Sequence, residues 1–114
     1  YVYFTKRSTL DENPELVKSF VYAMSDGWNY AVSNPIQAVD LLKGYAPEIN
    51  VDREQKVLEK AIPYFTAYND QPLNSEIESW VETVAELKSA GVIDDEIALD
   101  QVLHLEFVQQ YYEQ

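Results

Sequence analysis

The sequence predicts a mostly α-helical fold, with one short N-terminal strand followed by about five helical segments. Asn-Pro pairs at residues 13–14 and 34–35 are typical helix starts, because asparagine caps free amides and proline suits the first helical position. Apolar side chains then recur every three or four residues, which is the helical period. The aromatic and β-branched residues that predict the strand are Tyr1, Val2, Tyr3, Phe4 and Thr5.

The first helix is predicted to begin at Pro14, where Glu15 complements the positive end of the helix dipole. Its inward face holds the apolar side chains Leu16, Val17, Phe20, Met24, Trp28 and Ala31. Gly27 lies within this helix at a cost in stability relative to alanine, which predicts a close packing contact there. Residues 6–11, before the helix, are predicted to form a polar turn.

The next two helices are delimited by prolines, glycines and polar caps. The second begins at Pro35 and is predicted to end around Gly44 and Pro47. Asp52 is the predicted cap of the third helix, and Pro63 should kink or end it. The inward-facing residues of these helices are predicted to be Ile36, Val39, Leu42, Val57, Leu58, Ala61 and Ile62.

Two further helical segments complete the pattern. Asn74 or Ser75 is the predicted cap of the fourth helix, and Gly91 is its predicted stop. The acidic run Asp94, Asp95 and Glu96 predicts the start of a short helical turn. The apolar positions of the fourth helix and of the last amphipathic stretch are Ile77, Trp80, Val81, Val84, Leu87, Leu103, Leu105, Phe107, Val108 and Tyr111.

Composition excludes several classes of function. With 20 acidic and 8 basic side chains, the formal net charge is -12, which disfavours phosphate backbones and anionic membranes as partners. The chain has no cysteine, so disulfide and thiol chemistry are excluded. The 114 residues, of which 46% are hydrophobic, fit a single folded piece spanning 1–114.

The predicted strand needs a partner, because a lone strand cannot satisfy its own backbone hydrogen-bonding groups. Residues 1–5 should therefore pair with a second chain or with a strand that is absent from this fragment. Helices without a sheet would also leave apolar surface uncovered. We therefore expect the chain to be a fragment and to self-associate through residues 1–5.

The order of the motifs resembles a known family. The stretches that carry the likeness are Asn13-Pro14-Glu15-Leu16-Val17, Gly27-Trp28-Asn29-Tyr30-Ala31, Asn34-Pro35-Ile36-Gln37-Ala38-Val39, Trp80 and Leu87-Lys88-Ser89-Ala90-Gly91-Val92-Ile93. Together they resemble the last third of type II periplasmic-binding-fold proteins, in the branch that binds the pyrimidine precursor of thiamine. Nitrate, sulfonate and taurine binders are relatives of that branch.

The resemblance implies that this chain is the C-terminal helical portion of an α/β fold with two lobes. Such lobes close on a small ligand at their interface. The implied ligand is a small heteroaromatic compound, most specifically the thiamine pyrimidine precursor. The implied protein partner is the permease of an ABC importer, the implied location is extracytoplasmic, and no cofactor is expected.

Three aromatic side chains are the candidate ligand-binding residues. Tyr3 can point from the strand towards the cleft, Tyr64 follows the break at Pro63, and Trp80 can edge the cleft from the fourth helix. A flat heteroaromatic ligand would stack on such rings. The alternative interpretations are that Tyr64 packs between helices, that Trp80 belongs to the core, and that Tyr3 points to a missing lobe.

Two other functions remain open from sequence. One is a stand-alone acidic helical module for protein interaction. The other is a pyrimidine-forming enzyme, which would need a cofactor-binding lysine and a reactive histidine. His104 is the only histidine, and it lies in no catalytic motif, so a surface or edge position is predicted for it. We predict no catalytic residues.

Overall fold

The computed structural model describes residues 2–94 and 96–114 and is mostly helical, as predicted. Its helices are α1 (Arg7–Glu12), α2 (Pro14–Ser33), α3 (Pro35–Tyr45), α4 (Val51–Phe65), α5 (Ile77–Ser89), α6 (Leu99–Val102) and α7 (Glu106–Tyr112). The long helix α2 is central, since α1, α3 and α7 all pack against it. Helix α4 packs against α3, and its Phe65 ring contacts the Trp28 ring of α2.

The predicted N-terminal strand is wrong for the described part of the chain. Residues 2–6 run outside any helix or strand, and Tyr1 lies outside the described residues. No backbone hydrogen bond joins residues 2–5 to another described segment, so no ladder forms. The predicted polar turn is also wrong, because Arg7–Glu12 forms helix α1 and packs on α2.

Both Asn-Pro helix starts are confirmed, with a difference in mechanism. Asn13 and Asn34 each end one helix and precede the next, but neither side chain makes a capping hydrogen bond. Their backbone N–H groups instead bond to Thr9 and Tyr30 of the preceding helices. The following proline pushes each asparagine out of the α region, which separates the helices.

The starts of the later helices differ from the sequence prediction. Asn50, not Asp52, caps α4 by accepting from the Arg53 backbone N–H at 2.9 Å. Helix α5 begins after Glu76, without a capping side chain from Asn74 or Ser75. Helix α6 begins at Leu99, beyond the acidic run, of which Asp95 lies outside the described residues.

The two predicted glycine roles have opposite outcomes. Space is open around the position of an added Cβ at Gly27, so the predicted close contact there is wrong. Gly91 stops α5 as predicted, with a φ of +68°. Its N–H bonds to the Lys88 carbonyl, and the Val92 N–H bonds to the Leu87 carbonyl, which is the Schellman arrangement.

Gly91→Ala should therefore lower the free energy of unfolding by about 1–2 kcal/mol, because an L side chain is strained at positive φ. Gly44→Ala is the matched control, since Gly44 lies in α3 with open space around it. That change should raise stability by up to about 1 kcal/mol through helix propensity. Urea denaturation of both variants measures the two changes in unfolding free energy. Equal changes of the same sign would contradict the role of Gly91 as a helix stop that requires positive φ.

The fold leaves much of its apolar surface uncovered. A folded monomer of 13.2 kDa exposes roughly 6,400 Å² by surface-to-mass scaling, whereas this chain exposes 8610 Å². Its radius of gyration is 16.5 Å, compared with roughly 13 Å expected for a compact chain of this length. Among the described residues, the buried apolar side chains are Val39 and Val108, with Pro72 also fully buried. Helix packing is therefore concentrated around α2, and other helix faces lie open.

Candidate functional site

The three aromatic residues chosen from sequence line one cavity of about 420 Å³. Tyr3 comes from the N-terminal segment, Tyr64 from the end of α4, and Trp80 from α5. The remaining lining residues are Trp28, Ala61, Phe65, Pro72, Leu73, Asn74 and Ser75. The size and aromatic lining are typical of small-molecule pockets, which bind flat apolar groups and orient them with a few polar atoms.

Trp28 forms the boundary between the cavity and the helix packing behind it. Its indole N–H donates to the Tyr3 hydroxyl at 3.0 Å, which fixes the N-terminal segment against α2. Its ring lies 4.6 Å from the Phe65 ring, measured between centroids. The sequence predicted a core position for Trp28, because it lies on the apolar face of α2. The same apolar face borders the cavity, so Trp28 also lines the cavity wall.

Trp80 and Tyr64 are held very differently. The Trp80 indole N–H donates to the Ser75 hydroxyl at 2.8 Å, which ties α5 to the segment before it. Tyr64 is 83% exposed and lies one residue after Pro63, in the last turn of α4. The Tyr64 ring can therefore meet a ligand from outside, whereas Trp80 is already oriented by the protein.

Residues 72–75 form one wall of the cavity, and the segment of residues 69–75 that contains them has an unusual backbone. Asn69, Asp70 and Leu73 all have positive φ, at 51°, 53° and 71°. Asparagine and aspartate tolerate this region, but leucine does so only at a cost of about 1–2 kcal/mol. The surrounding structure must therefore hold Leu73 in place.

A group of hydrogen bonds from α2 and α7 reaches this wall. The Tyr112 hydroxyl donates to the Pro72 carbonyl at 2.8 Å. The Asn29 side-chain amide donates to the Tyr112 hydroxyl at 3.1 Å and to the Ser25 carbonyl at 2.9 Å. Next to it, Tyr111 donates to the Asp26 carboxylate at 2.6 Å. Sequence analysis missed Asn29 and Tyr112, because their contacts join residues far apart in the chain.

Both tyrosines at the end of α7 have raised pKa values. Burial raises the pKa of Tyr112 above its usual 10.0, and the hydrogen bond from Asn29 offsets part of this. The hydrogen bond that Tyr111 donates to Asp26 raises the pKa of Tyr111, and burial adds to that effect. Both hydroxyls therefore stay protonated at neutral pH and remain donors.

These shifts predict a loss of stability at alkaline pH. Because the folded-state pKa values lie above the unfolded value near 10, the contribution is complete below pH 10 and is lost as pH rises through the folded pKa. The double variant Y111F/Y112F should flatten this decline in unfolding free energy. Tyr45→Phe removes an exposed hydroxyl and serves as the control. If the unfolding free energy of the double variant fell with pH as steeply as that of the wild type, Tyr111 and Tyr112 would not be the source of the alkaline loss of stability.

His104 lies beside a second, more open groove of about 600 Å³ between α5, α6 and α7. Its ring is 4.7 Å from the Phe107 ring, and its Nε2 is 3.9 Å from a Glu106 carboxylate oxygen. The predicted surface position is confirmed. In the described ranges, no group of three His, Cys, Asp or Glu side chains is arranged to hold a metal ion.

Two comparisons with known proteins bear on this cavity. A family model described as NMT1/THI5 like matches residues 1–38. The riboflavin-binding protein RibY of Chloroflexus aurantiacus is 28% identical, in an alignment that covers 85% of this chain. These matches support a periplasmic-binding-protein-like family. No solved structure matches the chain.

The two matches suggest a solute-binding role. The chain spans 29% of the length of RibY. The family-model match covers the N-terminal segment, α1, α2 and the start of α3, and so includes Tyr3 and Trp28 of the cavity. None of the helices within residues 2–94 and 96–114 is long and apolar enough to cross a membrane.

Proposed function

We propose that this chain supplies one wall of the ligand site in an extracytoplasmic solute-binding protein of an ABC importer. The ligand is a small, flat heteroaromatic compound, with the pyrimidine precursor of thiamine as the first candidate. The observation that carries the proposal is the convergence of Tyr3, Tyr64 and Trp80 on one cavity, together with the two family matches.

The chemistry of the cavity suits a nitrogen heterocycle. The hydroxyls of Tyr3 and Ser75 each accept from a tryptophan indole, and within the described residues neither donates to a protein acceptor. Their hydroxyl hydrogens are thus available to ring nitrogens, which are acceptors in a pyrimidine. Tyr64 adds an exposed ring on which the heterocycle can stack.

Riboflavin is the second candidate, because the curated relative is a riboflavin-binding protein. Its tricyclic ring is also flat and carries ring nitrogens and carbonyl oxygens. A tricyclic ring would cover more of the aromatic wall than a single pyrimidine, so both Trp28 and Trp80 would lie near it. A substitution at Trp28 should therefore affect the affinity for riboflavin more than the affinity for the pyrimidine.

The cavity is open, which fits a site completed by another part of a longer protein. Ligand sites of this kind form between two lobes, and the proposed fold context is the C-terminal helical portion of such a two-lobed protein. The uncovered apolar surface described above would then lie against the remainder of that protein. The single piece of residues 1–114 would deliver its ligand to the permease only as part of that whole.

Calorimetric titration tests the ligand assignment, with an aminopyrimidine, thiamine, riboflavin and taurine as probes. It would be run on this chain and on any longer gene product that contains it. We expect an aminopyrimidine to bind the longer product and to raise its thermal midpoint, because a ligand stabilises the state that binds it. Binding of riboflavin alone would replace the first candidate with the second.

Tyr64→Ala should weaken that binding by roughly two- to tenfold, the range expected for one aromatic stacking contact. Tyr45→Ala removes a ring that is 91% exposed and lies outside the cavity, so its affinity should equal that of the wild type. If none of the probes binds either form, the solute-binding proposal fails. A stand-alone acidic interaction module, with its apolar helix faces open to a partner, would then be the better account.

A further inference from the structure

The cavity wall of residues 72–75 is held in place by residues outside it. Pro72 is fully buried, and its carbonyl accepts the hydroxyl of Tyr112, which lies 40 residues further along the chain. The next residue, Leu73, has a φ of 71°. A backbone in this conformation persists only when neighbouring groups hold it there.

Asn29 in turn orients the Tyr112 hydroxyl. The Asn29 amide donates to that hydroxyl at 3.1 Å, so the hydroxyl's own hydrogen points away towards the Pro72 carbonyl. The same amide donates to the Ser25 carbonyl within α2, which anchors it to the central helix. A line of hydrogen bonds thus runs from α2 through the end of α7 to the cavity wall.

A second group of hydrogen bonds joins the residues next to Pro72 to Trp80. The side chains of Asn74 and Gln71 are joined at 2.7 Å, and the Asn74 side chain accepts from the Ser75 backbone N–H at 2.9 Å. The Ser75 hydroxyl then accepts from the Trp80 indole. Pro72 is joined to this group through the backbone of residues 72–75, so we expect a displaced Pro72 carbonyl to move Ser75 and the Trp80 ring with it.

We infer that Tyr112 and Asn29 are positioning residues that hold the wall of residues 72–75 in place and thereby orient Ser75 and Trp80 in the cavity. Neither residue lines the cavity itself. The geometric part of this inference stands on the hydrogen bonds alone. Its consequence for ligand affinity rests on the proposed function.

The neighbouring residue Tyr111 provides a matched control. It lies on the same helix and also bonds to α2: its hydroxyl donates to Asp26 at 2.6 Å and accepts a longer bond from the Asn29 amide at 3.5 Å, but it makes no bond to the wall. Tyr112→Phe and Tyr111→Phe each remove a single hydroxyl from adjacent positions. Only the first removes a bond to the Pro72 carbonyl.

The two tryptophans provide the readout, since the chain has two indole N–H groups and each reports a different contact. In ¹⁵N-correlated NMR spectra, Tyr112→Phe should shift the Trp80 indole signal and speed its hydrogen exchange, while the Trp28 signal changes little. Tyr111→Phe should leave the Trp80 signal in place. An unmoved Trp80 signal in a folded Tyr112→Phe protein would overturn the inference, whatever the change in thermal midpoint.

If Tyr112→Phe fails to fold, the Trp80 indole signal is measured in Asn29→Ser instead. It keeps the Tyr112 hydroxyl but removes the amide that orients it, so a smaller shift of the Trp80 indole in the same direction is expected. No shift would overturn the inference.

Affinity for an aminopyrimidine forms a separate arm of the test. Tyr112→Phe should weaken binding by roughly three- to tenfold, as expected for the loss of one hydrogen bond, and Tyr111→Phe should not weaken it. These affinities are measured in the longer gene product. If neither that product nor this chain binds a probe, the proposed function fails, while the NMR result still decides the positioning role. If the wild type binds a probe and both variants bind it with equal affinity, the proposed effect of Tyr112 on ligand affinity is refuted, independently of the NMR result.

Discussion

Replacing Trp28 with alanine should lower the free energy of unfolding by about 2–4 kcal/mol, the largest effect of any single change proposed for this chain. Complete removal of a buried tryptophan costs about 3–5 kcal/mol, and the lower range reflects the half-buried position of this ring. The variant loses the contact with Phe65, the hydrogen bond to Tyr3 and the packing between α2, α3 and α4.

Two further variants separate these contributions, all measured by urea denaturation. Trp28→Phe keeps an aromatic ring but loses the donor to Tyr3, so a smaller loss of about 1–2 kcal/mol is expected. Trp80→Ala removes an equally large side chain from α5, which is not among the helices that pack most closely together. If Trp80→Ala destabilised the chain more than Trp28→Ala, the central role of α2 in the fold would be wrong.

Self-association that strengthens with salt is the second large effect that we expect. The backbone groups of residues 2–5 have no partner among the described residues, and Phe4 is 94% exposed. These features favour pairing of two copies along this segment, as predicted from sequence. A net charge of -12 on each copy opposes it, and salt screens that repulsion.

Sedimentation velocity over a range of concentration and salt checks this prediction. Raising the ionic strength from about 0.02 M to 0.5 M should increase the association constant by roughly tenfold or more, because the screening length shortens. Phe4→Asp should abolish association, whereas Tyr45→Ala, at a similarly exposed aromatic position, should leave it intact. A monomer under all conditions, or equal effects of the two variants, would refute pairing through residues 2–5.

The local features of the fold could be predicted from the sequence where one residue type has a dominant backbone preference. Proline after asparagine separated α1 from α2 and α2 from α3, and Gly91 ended α5, because each acts through its own φ and its immediate neighbours. Predictions that needed a distant partner were less successful. The strand prediction was wrong because the described residues hold no second strand to pair with, and the close contact predicted at Gly27 is absent.

The residues of the candidate site divide in the same way, into those predicted from local sequence and those that depend on distant partners. Tyr3, Tyr64 and Trp80 were chosen for local reasons, and the structure places all three on one cavity, although a ligand-binding role for them stays a prediction. Asn29 and Tyr112 could not be found in this way. Their hydrogen bonds span 83 and 40 residues, and no periodic pattern marks them.

The sequence by itself therefore determined the helical class, the two Asn-Pro helix starts, the end of α5 at Gly91, the acidic charge and the family resemblance. These properties depend on residue type, spacing and neighbouring backbone, all of which are local. Only the tertiary structure decided that α7 returns to α2, that Tyr112 meets the Pro72 carbonyl, and that the aromatic side chains share a cavity. Such contacts depend on how helices pack across long stretches of chain, and many packings of one face are compatible with the same apolar pattern.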